Sequence, residues 1–124
     1  KLKFLDKWND MRRNNAKIYN DILGDLVKRP VERKGTKHVY YVYTIMAKDR
    51  DKLASFLNSK GISTGIYYPI PLHLQKAFSY LGHKKGDFPV TEKQADEILS
   101  LPMYPGLSEE SINYICKCIK VFYN

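Results

Sequence analysis

A tyrosine pair, Tyr67 and Tyr68, runs directly into Pro69, Ile70 and Pro71, and His73 follows. Proline fixes φ and removes an amide donor, so this stretch is held extended and cannot continue a helix or a sheet interior. Rigid display of two phenols and an imidazole suits binding. A phenol can hydrogen-bond a hydroxyl or a phosphate oxygen, and an imidazole titrates near neutrality. Side chains alternate along an extended strand, so only one of Tyr67 and Tyr68 is expected to point into a pocket while the other packs. His73 has a plainer role open to it, as the cap of a helix starting at Leu74. The other histidines, His38 and His83, do not join it at zinc spacing, and His38 reads as structural. There is no Gly-rich phosphate loop, nucleophile elbow or His-Glu-x-x-His in the sequence. No residue is therefore assigned as catalytic, cofactor-binding or metal-binding.

These residues need elements to position them. Leu5, Trp8, Tyr19, Ile22, Leu23 and Leu26 recur at helical spacing with Arg12, Arg13 and Lys17 opposite, which predicts an amphipathic helix over 3–26. Lys28 to Lys37 reads as a polar connector and the most flexible segment. His38 to Lys48 is rich in Tyr, Val, Ile and Thr, which predicts a strand covered on both faces and central in its sheet, with Tyr40, Tyr41 and Tyr43 as packing. Asp49 is placed to cap a helix bearing Leu53, Phe56 and Leu57, and Gly61 to end it in a Schellman closure that folds Ile62 onto Leu57. Thr64 to Tyr68 is expected as a short second strand, Leu74 to Leu81 as a short helix, and Leu101 to Tyr104 as a third extended piece. Between them Thr91 and Gln94 have capping-box spacing, ahead of a helix with Ala95, Ile98 and Leu99 inside. Ser108 caps the last helix, whose stripe is Ile112, Ile115, Cys116, Ile119 and Phe122. The pattern is an α+β domain, a small sheet with helices packed over one face.

The 124 residues suit one domain, with a lead-in helix and basic connector over 1–37 and an α+β core over 38–124. The sequence opens on Lys1 with helical spacing already running at Leu2 and Leu5, so it is expected to be part of a longer protein. No secretory signal opens it, and Val39 to Ala47, its longest apolar run, is far short of the ~20 residues of a membrane span. A cytoplasmic location without a membrane partner is expected. Cys116 and Cys118 lie about 200° apart around a helix, too divergent to pair or to share a metal. Cys116 falls on the apolar stripe and Cys118 is expected to face outward. The net charge is +8, concentrated towards residues 1–37. A nucleic-acid footprint would need stacking aromatics interleaved with that charge, and the basic segment lacks them, so a solvated helix face and loop is the better reading.

Gly61, Ile62, Thr64, Tyr68, Pro69, Pro71, His73, Asp87, Phe88, Pro89, Glu92, Leu101, Pro102 and Pro105 stand in an order and spacing that resembles the C-terminal domain of the DegT/DnrJ/EryC1/StrS family, the pyridoxal-phosphate-dependent sugar aminotransferases. More loosely, the resemblance runs from Leu5 to Phe122. It implies the small C-terminal domain of a fold-type-I aminotransferase with a short, mostly antiparallel sheet. It further implies transfer of an amino group from glutamate to a nucleotide-linked keto-sugar, with the protein's own N-terminal large domain and a second copy of the whole protein as partners. The Schiff-base lysine would come from that large domain, because none of the sixteen lysines here sits in the family's motif. The resemblance thus implies that pyridoxal phosphate serves the full-length protein, and that this chain alone binds none and is inactive. It assigns Tyr68 and His73 to the nucleotide sugar, and Tyr67 with them, although the family usually carries histidine at that position. A phenol there forfeits the cationic help an imidazolium could give a diphosphate. Two rivals are a sugar dehydratase of the same family and a basic α+β module that binds nucleic acid.

Overall fold

The computed structural model describes residues 1–124. The chain forms four α-helices and two strands: α1 (Leu5–Leu23), β1 (Tyr43–Met46), α2 (Arg50–Ser59), α3 (Pro89–Glu97), β2 (Ile98–Leu101) and α4 (Glu109–Tyr123). Single 3-10 turns occupy Leu2–Phe4, Leu72–Leu74 and Lys76–Leu81. No helix is long and apolar enough to cross a membrane.

β1 and β2 pair antiparallel with Tyr43 opposite Leu101, Thr44 opposite Ser100 and Ile45 opposite Leu99. Opposed residues share a face, so Tyr43, Ile45, Leu99 and Leu101 form one continuous buried surface. Helix α1 covers it, with the Tyr19 ring stacked on Tyr43 at a centroid distance of 4.6 Å. Helix α4 lies between α1 and α2, and its Ile112, Ile115, Cys116 and Ile119 complete the core. This is the α+β architecture expected from the sequence, but the sheet has two strands, so β1 is not the central strand expected; its other edge meets only a single bridge from Lys28 to Met46, with amides exchanged at 3.2 and 2.9 Å.

Several expected elements are corrected. The strand expected over His38 to Lys48 is confined to Tyr43–Met46. Tyr40 adopts a left-handed φ of 45°, its amide donates to His38 Nδ1 at 2.9 Å and the two rings stack, so the chain turns before the sheet begins. Tyr41 is thereby thrown outward and is 79 % exposed rather than packed. Thr64 to Tyr68 contributes one bridge, Gly65 to Ser100, instead of a strand. The third extended piece starts three residues earlier, at Ile98, because α3 ends at Glu97. Ile98 and Leu99 had helical spacing from Ala95, but a short apolar run fits either period, and the sheet wins here. Leu74 to Leu81 forms 3-10 turns, not an α-helix. Asp49 sits before α2 at φ 51° and bonds Lys52 at 3.0 Å, leaving α2 without a side-chain cap. Helix α3 begins at Pro89, so Thr91 lies inside it and no capping box forms. Cys118 is buried, since α4 packs on two neighbours and its covered arc is wider than one stripe. Helix α1 stops at Leu23, short of the expected residue 26.

Other expectations hold. Ile62 donates to Leu57 at 2.9 Å and Gly61 to Asn58 at 3.0 Å, the two bonds of a Schellman closure, with Gly61 at φ 77°. Ser108 caps α4 by accepting from the Ser111 amide at 3.1 Å. Cys116 is buried, and burial pushes its thiol up to about 12. The connector expected to be most flexible is nonetheless pinned: Arg13 pairs with Glu32 and donates to His38 O at 2.8 Å, while Lys37 meets Asp10 at 2.9 Å.

Arg50 is almost wholly buried and joins three elements. Its guanidinium donates to the carbonyls of Ala95 at 3.0 Å and Ile98 at 2.8 Å, which are among the unpaired acceptors at the end of α3, and to Asp51 at 2.7 Å. Replacing Arg50 with Ala is expected to lower the unfolding free energy by about 2 kcal/mol, read by urea denaturation, because two buried carbonyls lose their donor. Glu32 sets an acid limit. The Arg13 guanidinium, with the His38 amide, holds its carboxyl down at about 2. Its contribution is therefore complete above the ordinary carboxylate value and disappears as pH falls towards about 2. Thermal melts of Glu32→Gln and the native sequence should differ at pH 6 and converge as the pH falls through that range.

Candidate functional site

The Schellman turn at Gly61 directs the chain back along β2, where Gly65 and Ser100 exchange amide hydrogen bonds at 3.0 and 2.7 Å. Past that bridge the chain leaves the sheet, so the alternation of a pleated strand no longer applies. Both Tyr67 and Tyr68 consequently line the same open groove, of about 640 Å³, against the expectation that only one would. Its opposite wall is Tyr41 with Val42, and its floor runs from Ser100 to Met103. The floor is fixed from behind by α1: Tyr19 donates to Pro102 O at 2.9 Å and Asn15 to Tyr104 O at 3.1 Å. A second hollow, of about 220 Å³, lies on the far side of the tyrosine pair, between Ile70 to Leu72 and Gln75 on one side and Thr91, Gln94 and Ala95 of α3 on the other. Tyr67 and Tyr68 are the ridge between the two, 55 % and 74 % exposed, with their rings edge to face at 5.9 Å.

His73 is placed differently. Its side chain is 7 % exposed, it lines neither hollow, and its Nε2 donates to Glu92 Oε1 at 2.9 Å while the ring meets Phe88 edge-on at 4.8 Å. It does not cap a helix at Leu74 either, since that stretch is a 3-10 turn without a side-chain cap. The structure thus brings Tyr67 and Tyr68 together and sets His73 apart from both hollows, against Glu92 and Phe88.

Glu92 is a functional candidate that the sequence reading passed over, beyond its place in the motif. Its carboxylate accepts from His73, from the Gly86 amide at 2.8 and 3.0 Å and from the Phe88 amide at 3.4 Å. Burial pushes its pKa up, but the Gly86, His73 and Phe88 donors outweigh that and hold it below the ordinary carboxylate value. An acidic side chain in the first turn of a proline-started helix was the available signal, since orphan amides there need an acceptor. Tyr41 was the other omission, and nothing in its local pattern separates it from Tyr40 and Tyr43.

Both hollows are neutral. Their linings carry phenols, hydroxyls, amides and apolar groups but no lysine, arginine, histidine or carboxylate. Pyridoxal phosphate requires a Schiff-base lysine, an acidic partner for the ring nitrogen and a phosphate cup, so these residues do not fit it. They fit an uncharged, hydroxyl-rich ligand that presents a ring face to the tyrosines.

The model of the DegT/DnrJ/EryC1/StrS aminotransferase family matches residues 1–120. The chain belongs to that family. A pleiotropic regulatory protein of Geobacillus stearothermophilus is 48 % identical over 99 % of the chain, which covers 34 % of that relative. A dTDP-3-amino-3,4,6-trideoxy-alpha-D-glucose transaminase of Micromonospora megalomicea is 38 % identical over 97 % of the chain and 34 % of its own length. Among solved structures, a DegT/DnrJ/EryC1/StrS aminotransferase of Brucella abortus superposes with a TM-score of 0.92 at 37 % identity, over 99 % of the chain and 33 % of that protein. The family member described here spans about a third of the length of each. Its fold is that of the matched third, and the tyrosine ridge and the neutral hollows belong to an aminotransferase-family chain.

Gly65 sets the pose of Tyr67. A Cβ at this position would lie 2.6 Å from the Tyr67 hydroxyl and 2.7 Å from the ring, while the Gly65 backbone is held by Ser100. The ring must therefore yield. Because Tyr67 is 55 % exposed and its ring can swing towards solvent, Gly65→Ala is expected to cost less than about 1 kcal/mol and to change the near-ultraviolet tyrosine circular dichroism. In a Tyr67→Ala background the same substitution should cost almost nothing, and a double-mutant cycle by chemical denaturation reads that coupling.

Proposed function

We propose that this chain is the C-terminal small domain of a pyridoxal-phosphate-dependent aminotransferase that moves an amino group from glutamate onto a nucleotide-linked keto-sugar. The observation that carries the reading is the pair of neutral hollows divided by Tyr67 and Tyr68 in a chain of this family. Family membership supports the cofactor and the reaction class, and the Micromonospora relative's name supports a sugar attached to a nucleotide. In the full-length protein the large domain that precedes this chain holds the cofactor, which supplies the carbanion stabilisation of amino-group transfer. The full-length protein acts as a homodimer in the cytoplasm, and the chain by itself is inactive.

Within that reading each residue has a bounded task. Tyr68, the more exposed phenol, bonds a hydroxyl of the sugar, and Tyr67 offers a ring face with its hydroxyl turned towards Gly65. Thr64 and Ser63 add hydroxyls on the same wall. No cation lines the groove, so the diphosphate charge is met by residues outside this chain. His73 bonds Glu92 and lines neither hollow, so within this reading it supports the tyrosine loop. A nucleic-acid role gains no support, because the basic segment spends Arg13 on Glu32, Arg29 on Asp25 and Lys37 on Asp10, away from the exposed tyrosines.

The purified full-length protein should be yellow and should consume glutamate in the presence of a keto-sugar nucleotide. Tyr68→Phe is expected to raise the KM for the sugar nucleotide roughly fivefold, the worth of about one hydrogen bond, with kcat little changed. A colourless full-length protein that cannot be reconstituted with pyridoxal phosphate overturns the reading.

A further inference from the structure

The smaller hollow is bounded by two stretches of chain that touch each other beneath it. One wall is Ile70 to Leu72 with Gln75, the immediate neighbours of His73, and the other is Thr91, Gln94 and Ala95, the neighbours of Glu92. The His73 to Glu92 bond, with both side chains largely buried, is therefore the cross-tie between the two walls. Glu92 also gathers the Gly86 and Phe88 amides, so one carboxylate joins three segments: the proline turn, the loop before α3, and α3 itself. Phe88 fills the space beside the tie, its ring meeting His73 at 4.8 Å and His83 at 5.0 Å. Nothing else of comparable strength fastens the proline turn: Gln75 donates to Ile70 O, but that bond stays within the turn.

We propose that Glu92 is a positioning residue that, through His73, fixes the Tyr67 and Tyr68 ridge and the width of the hollow beside it, and so governs the fit of the sugar nucleotide without touching it. This inference rests on the aminotransferase reading for its ligand, but not for its mechanics. A carboxylate suits the task better than a neutral group, because Oε1 accepts from His73 and from the Gly86 and Phe88 amides while Oε2 takes a further bond from Gly86, and charge-assisted bonds are the stronger ones. Loss of the tie lets the ridge move relative to α3, and displacement of a binding group by about 1 Å is enough to weaken fit by one to two orders of magnitude.

The test uses the full-length protein with Glu92→Ala, Glu92→Gln and His73→Ala. Hydrogen exchange followed by mass spectrometry should show residues 66–75 and 83–88 exchanging about tenfold faster in Glu92→Ala, with 43–46 and 98–101 unchanged. In steady-state kinetics the KM for the keto-sugar nucleotide should rise about tenfold while kcat and the KM for glutamate stay put, a split that general destabilisation does not produce. Glu92→Gln should restore most of the KM, since an amide oxygen in the place of Oε1 still accepts from His73. Unchanged exchange and KM in Glu92→Ala, or a uniform rise in exchange across the whole chain, would overturn the proposal. If Glu92→Ala fails to accumulate, His73→Ala cuts the cross-tie while leaving the Gly86 and Phe88 amides on Glu92, so it must speed exchange over 66–75 with 83–88 unchanged and raise the same KM, or the proposal falls. If the native full-length protein has no transaminase activity, the reaction assigned above is wrong, and the exchange pattern still decides whether Glu92 holds the ridge.

Discussion

Ser100 is the residue through which the sheet and the site are joined. Its amide and carbonyl both go to Gly65, so its pairing with Thr44 on the other side is of the type that exchanges no backbone hydrogen bonds. Side chains approach most closely across such a pair, and the Thr44 and Ser100 hydroxyls meet at 2.8 Å. A buried serine in a strand would otherwise cost a desolvated hydroxyl; here the cost is cancelled and the register is fixed. A slip by one residue would send Leu99 and Leu101 away from Tyr43 and Ile45. Register, core and the Gly65 bridge therefore hold or fail together.

From that join the groove follows without further machinery. Gly61 turns the chain, Ser100 fixes Gly65, and Gly65 leaves room for the Tyr67 ring to lie over it. Helix α1 fixes the opposite strand end through Tyr19 and Asn15, two polar groups that are buried and satisfied. Burial pushes the Tyr19 phenol up, so it remains a neutral donor to Pro102 at any pH the fold survives. Rigid walls on both sides of a neutral hollow suit the uncharged part of a ligand, since fixed donors need not be reorganised when the ligand arrives.

Local chemistry made much of this legible. The Schellman turn, the Ser108 cap and the α4 stripe each depend on residues within a few positions of one another, and the sequence pattern fits what is observed. The misreadings share a cause, which is competition decided at long range. Ile98 and Leu99 fit a helix after Ala95 until Arg50, 48 residues away from Ile98 in sequence, takes up the carbonyls that end α3. Tyr40 looks like strand until His38 folds under it and Arg13 holds His38 in place. An imidazole after a rigid turn fits binding as well as structure, and its partner Glu92, 19 residues on, is not visible from the turn itself. The family motif had already placed both residues in order, but order alone does not reveal that they touch.

The neutrality of the site bears on Tyr67 more than on any other residue. No side chain lining the larger groove carries a cation, and Tyr67 brings a phenol there rather than a charge. The lysines of the loop before α3 line neither hollow. A ring resting on a glycine contributes contact area and a fixed plane, which favours a ligand's flat or apolar face over its charge.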